Sequence, residues 1–81
     1  MILKIPLLLS PQPEGGYTVT SPLLPELITE GDTPEQIQEN VRDCLAAVIE
    51  IYEDTGRELP AAILAGTQSG PLHMETLVEV P

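Results

Sequence analysis

The 81 residues predict one α+β domain of order β-β-β-α-β, and three features carry that reading. Apolar residues alternate with a period of two near both ends, and glycine and proline clusters cut the first third into short segments. A long middle stretch repeats its apolar residues at helical spacing. A chain of 8.7 kDa hides only roughly 60% of its unfolded surface, so residues 1–81 form one domain with a small core. The expected sheet is mixed and four-stranded, of order 3-2-1-4, with one long helix on one face.

The first strand is expected over 2–9, where Leu3, Ile5, Leu7 and Leu9 share one face and Ile2, Lys4, Pro6 and Leu8 the other. Pro6 cannot donate to a ladder, so regular pairing starts near it or its nitrogen faces an unpaired side. Ser10 to Gly16 is rich in turn formers, and Gly15-Gly16 supplies the positive φ of a hairpin connection. The second strand, 16–21, places Tyr17 and Val19 opposite Thr18 and Thr20 and ends at Pro22. Pro22 and Pro25 frame a stiff connection to a third strand over 26–31, where the pattern leaves open whether Leu27 or Ile28 faces the core.

The helix is expected over 34–55. Thr33 is its cap, Pro34 its first residue, and Gln36 stands three after the cap to accept from the cap's amide. Ile37, Val41, Cys44, Leu45, Val48, Ile51 and Tyr52 make its apolar stripe, and Gly56 suits the left-handed position beyond its end. A proline- and glycine-punctuated connection over 59–74 leads to a last strand over 76–80, which a right-handed crossover would set parallel beside strand one. Strands three and four would then be the sheet edges, open to another chain.

Thirteen Asp and Glu against three Lys and Arg give a formal charge of −10 and a pI near 4.1. Direct nucleic-acid binding is not expected, because phosphate neutralisation needs clustered cations. With no Phe or Trp and only Tyr17 and Tyr52, a base-stacking platform has almost no material. A hydrophobic content of 42% excludes an acidic disordered tail. The lone Cys44 can form neither an internal disulfide nor a multi-thiolate site, no leader pattern is seen at Met1 to Leu9, and no run approaches membrane-spanning length. A cytoplasmic protein without membrane contact is expected, and the charge would steer a basic protein toward it.

The ordered series Ile5-Pro6-Leu7-Leu8, Gly15-Gly16-Tyr17, Pro22-Leu23-Leu24-Pro25-Glu26, Gly31-Asp32-Thr33 and an amphipathic helix resembles the HicB family of antitoxins, from about Ile5 to Leu59. Leu77-Val78-Glu79-Val80 is similar to the family's last strand. The resemblance implies a partial ribonuclease H-like fold, a homodimer or higher homo-oligomer, and a type II toxin-antitoxin role. The partner it implies is a small basic HicA-type toxin that cleaves messenger RNA. Many members continue into a DNA-binding segment, whereas this sequence stops at Pro81, so a short form without autorepression is expected. Shorter relatives without a toxin partner give the alternative, a standalone dimeric binding or regulatory module using the 59–74 connection.

Plainer roles account for the remaining candidate residues. A ribonuclease H-like sheet invites metal-dependent cleavage, but strand one carries no acid, and Asp32 is explained by the polar turn before the helix. His73 has neither a cysteine nearby nor a second histidine, Cys44 reads as a small core hydrophobe, and Gly15-Gly16 lacks the lysine and following helix of a phosphate loop. No catalysis, cofactor or metal is therefore expected. The helix face of Glu35, Glu39, Asp43, Glu50, Glu53 and Asp54 is either ordinary solvated surface or the toxin-binding face, with Arg42 the only cation at hand.

Overall fold

Pro6 and the Gly15-Gly16 turn decide where the sheet starts. In the computed structural model, which describes residues 2–63, 71, 75–78 and 80, strand β1 covers Leu8–Pro11, β2 Tyr17–Thr20 and β3 Ile28–Gly31. Pairing therefore begins beyond Pro6 and runs into Pro11, later than the 2–9 read from the alternation. The turn imposes that register. Gln12 N–H donates to the Gly16 carbonyl at 3.0 Å, with Gly15 and Gly16 at φ of 103° and 77°, and the ladder back from there pairs Ser10 with Thr18 and Leu8 with Thr20. Ile2 to Pro6 keeps its alternation without a ladder: Leu3 and Ile5 are half-buried while Ile2, Lys4 and Pro6 are exposed, and the alternation breaks at Leu7, which is exposed as well.

The three strands form an antiparallel meander of order β1-β2-β3. The fourth strand expected over 76–80 is not found: residues 75–78 and 80 carry no strand, and 79 lies outside the described residues. Val78 and Val80 are largely exposed, and Leu77, which lines a groove with Leu7 and Leu9, is still 46% exposed, so none of the three is buried as a strand packed in the sheet would be. The edges of the described sheet are therefore β1 and β3, instead of strands three and four. The architecture of the described residues is therefore α+β, a three-stranded antiparallel sheet with one long helix.

Helix α1 spans Pro34–Asp54, about 32 Å at 1.5 Å per residue. Thr33 is extended and its Oγ1 accepts from Gln36 N–H at 3.2 Å. Gln36 Oε1 accepts from Asp32 N–H at 2.9 Å, one residue before the amide expected of a capping box. At the other end Gly56 takes φ 68°, and Gly56 N–H and Arg57 N–H donate to the Glu53 and Tyr52 carbonyls at 3.2 and 2.9 Å. That pair of bonds is a Schellman closure, which only a left-handed residue allows without strain.

The core lies between the sheet, the helix and the proline-framed loop. Leu24, Leu27, Val48, Tyr52 and Ile63 form its buried cluster, with Ile5, Leu23, Val41, Cys44, Leu45 and Leu59 packed around it. Val19 and Ile37 are buried as well. Leu27 is fully buried and Ile28 is 64% exposed, which settles the face that the pattern left open. Gly31 is buried beneath Ile37, and a Cβ there would stand 2.8 Å from Ile37 Cγ1 and 2.9 Å from its backbone nitrogen. A glycine at this position lets the start of α1 close onto β3.

Candidate functional site

The outer face of α1 follows directly from its periodicity. At about 100° per residue, Glu35, Glu39, Asp43, Glu50, Glu53 and Asp54 fall within an arc of about 100°, opposite the stripe centred on Val48. All six are exposed. They fall into two groups, Glu35-Glu39-Asp43 and Glu50-Glu53-Asp54, separated by exposed Ala46 and Ala47. Glu35 with Glu39, Glu39 with Asp43, and Glu50 with both Glu53 and Asp54 are like charges at neighbour spacing.

Among the described residues none of these six acids has an ion-pair partner, Arg42 included. Nor does the end of the helix carry a cation: the last turn has no basic residue, so Glu50, Glu53 and Asp54 face the negative end of the macrodipole. Arg57, three residues beyond the helix, is committed elsewhere. Its Nη1 donates to Glu26 Oε1 at 2.9 Å, and its guanidinium carbon sits 4.3 Å from the Tyr52 ring centre. Tyr52 Oη donates to Glu26 Oε2 at 3.1 Å.

A backbone hydrogen bond, then those from Arg57 and Tyr52, holds the Glu26 carboxyl below the ordinary carboxylate range, while partial burial opposes them. Burial first, and then the bond to Glu26, pushes the Tyr52 hydroxyl up. This trio ties the end of α1 to the proline-framed loop. Glu26 stands far in sequence from Tyr52 and Arg57, and only the placement of Arg57 right after Gly56 hints at the arrangement.

The other residues singled out by sequence build the frame. Gly16 stands against the Asp32 side chain and the Gly31 carbonyl, so the hairpin turn meets the junction between β3 and α1 there, with Thr33 next along as the helix cap. Pro22 and Pro25 are exposed on either side of fully buried Leu24, and Tyr17 opens β2 at 39% exposure. Cys44 is half-buried on the apolar stripe, its Sγ 3.7 Å from the Ile28 carbonyl. His73 and most of the 59–74 connection lie outside the described residues. Among the described residues no three His, Cys, Asp or Glu side chains gather as for a metal ion, and no helix is long and apolar enough to cross a membrane.

A groove of about 870 Å³ runs beside β1, its lining including Ile5, Leu7, Leu9, Ile37 and Leu77 together with Lys4 and Glu75. On the sheet face away from Val19, exposed Leu8 and Ile28 flank Thr20 in one row. Below that row Gln12 Nε2 donates to Thr18 Oγ1 at 2.9 Å and to Glu30 Oε2 at 3.0 Å.

No family model matches the chain. It is 38% identical over 58 residues, 72% of its length, to "Antitoxin HicB 1" of Photorhabdus laumondii subsp. laumondii. To "Antitoxin HicB" of Escherichia coli strain K12 it is 33% identical over 58 residues, again 72% of its length. A second Photorhabdus protein, "Antitoxin HicB 2", shares 34% identity over 68 residues, 84% of the chain. The matched region spans 37%, 42% and 43% of these three relatives, about two fifths of each.

Proposed function

We propose, from its similarity to the HicB antitoxins, that this chain acts as the antitoxin of a type II toxin-antitoxin pair, binding and neutralising a small basic HicA-type toxin that cleaves messenger RNA. The observation that carries the reading is the outer face of α1, where six exposed acids share one arc and have no ion-pair partner among the described residues. Charge of this density raises the encounter rate with a basic surface and fixes the orientation of approach. A toxin that grips RNA phosphates with Lys and Arg presents the matching surface, and an acidic helix laid over it would exclude the substrate without chemistry of its own.

The role proposed is one of binding. Asp32, the acid nearest a catalytic position in the sequence reading, is exposed, with its backbone N–H given to Gln36, and belongs to the start of the helix. Contact with nucleic acid then runs through the partner, and messenger RNA as the toxin's target places the pair in the cytoplasm. Co-expression with the product of an adjacent reading frame tests the reading. A complex is expected that lacks ribonuclease activity and dissociates as salt rises; two proteins that stay apart at low salt would overturn it.

A further inference from the structure

The finish of α1 has a cation close at hand that it does not use. Of the three cations in the chain, Lys4 lies in the first segment and Arg42 stands eight residues before Glu50, about 12 Å along the helix, which leaves Arg57 beside Glu50, Glu53 and Asp54. The Schellman closure brings it back to them. Arg57 N–H donates to the Tyr52 carbonyl at 2.9 Å, which sets its backbone against the turn that carries Glu53 and Asp54. From there the long arginine stem can carry its guanidinium to either carboxylate, yet it goes the other way.

Three contacts hold it there. Arg57 Nη1 donates to Glu26 Oε1 at 2.9 Å, Arg57 Nε donates to Thr55 Oγ1 at 3.1 Å, and the guanidinium carbon lies 4.3 Å from the Tyr52 ring centre. Only Glu26 among these partners carries the opposite charge, and its carboxylate is already aimed. Fully buried Leu24 and Leu27 bracket it, Leu27 N–H donates to the Leu24 carbonyl at 3.0 Å, and Tyr52 Oη donates to Glu26 Oε2 at 3.1 Å. Glu53 and Asp54 are exposed on the helix surface, where a pair with Arg57 would have to order two solvated side chains at once. The prepositioned carboxylate wins.

We propose that Glu26 is a positioning residue for the acidic face of α1: it keeps Arg57 on the Tyr52 ring and away from Glu50, Glu53 and Asp54, so that this end of the helix meets a basic partner with its charge unneutralised. The Glu26–Arg57 pair is neutral as a whole, and its field fades within a short distance in salt. A released Arg57 would instead pair with one of the three clustered acids and relieve their like-charge spacing. The inference rests on reading that face as a docking surface, and it adds a residue outside the face that governs how much charge the face presents.

The test reads the two acid groups of α1 separately, in the full chain and without a toxin. A hexalysine peptide titrated into isotope-labelled protein at low ionic strength is expected to shift the backbone amides of 35–43 and of 50–54 in nitrogen–proton spectra. In Glu26→Gln the response at 50–54 should fall by about a third, since one of three carboxylates is then paired, while the response at 35–43 stays. Adding Arg57→Gln to that variant should restore it, whereas a merely structural tie is not repaired by removing its second partner. Glu14→Gln, which removes the same charge from the hairpin turn, should leave the ratio of the two responses unchanged. No response at 50–54 in the parent, an undiminished one in Glu26→Gln, or a diminished one that the double variant fails to restore would each overturn the proposal. Failure to form a toxin complex is a separate result, and it would overturn the functional reading.

Discussion

The two ends of α1 obey different rules. At the start nearly every residue favours the helix: Thr33 caps it, Pro34 opens it, Gln36 closes back on Asp32, Glu35 meets the positive end of the dipole, and Gly31 makes room beneath Ile37. At the finish Gly56 provides a sound backbone closure, but Glu50, Glu53 and Asp54 crowd the negative end, and the next cation, Arg57, turns away to Glu26 and Tyr52. Helix stability explains the first end and is opposed by the side chains of the second. A charge arrangement that costs stability is understandable where a partner supplies the missing cations.

The sharpest way to break the first end is Gly31→Val. A Cβ there meets Ile37 backbone as well as side chain, so the sheet and helix must move apart, and a loss of about 1–3 kcal/mol is expected in urea unfolding. Thr33→Ala removes one cap bond at the same end and should cost about 1 kcal/mol, with Thr33→Ser retaining most of it.

The second end should respond with the opposite sign. Glu50→Gln, Glu53→Gln and Asp54→Asn together relieve two like-charge neighbour pairs and the clash with the dipole, so the isolated protein should gain about 0.5–1 kcal/mol at low salt. The gain should shrink as salt screens the charges, which thermal melts across an ionic-strength series would read.

Glu26→Gln gives the smallest expected change, seen best in pH dependence. The folded carboxyl titrates below its unfolded value, so its contribution is present above the ordinary carboxylate range and is lost as pH falls through the lowered folded value. The variant should melt lower than the parent near neutral pH and approach it in acid. A constant difference across the acid range would remove the trio from the account.

Most of this contrast was legible in the residues. Thr33-Pro34 fixed the start of the helix because a cap and a proline act locally, and Gly56 fixed its end because few residues take positive φ. The six acids were also readable, since one face of a straight helix is a matter of spacing. Long-range geometry was not. Where β1 pairs depends on the turn bond between Gln12 and Gly16, and alternation alone continues equally well on either side of Pro6. The last segment alternates like a strand, but alternation does not supply the burial that would hold it on β1, and Leu77, Val78 and Val80 remain exposed. Arg57 belongs to Glu26 through a fold that brings residues thirty-one apart together, and no local pattern encodes that.

The most direct test of the account is the affinity of the chain for the proposed basic toxin, measured at several salt concentrations for the parent and for the Glu50→Gln, Glu53→Gln, Asp54→Asn variant. The account predicts that the variant, though more stable alone, binds more weakly at low salt and shows a shallower salt dependence. Equal affinity and an equal salt slope in the two proteins would contradict it.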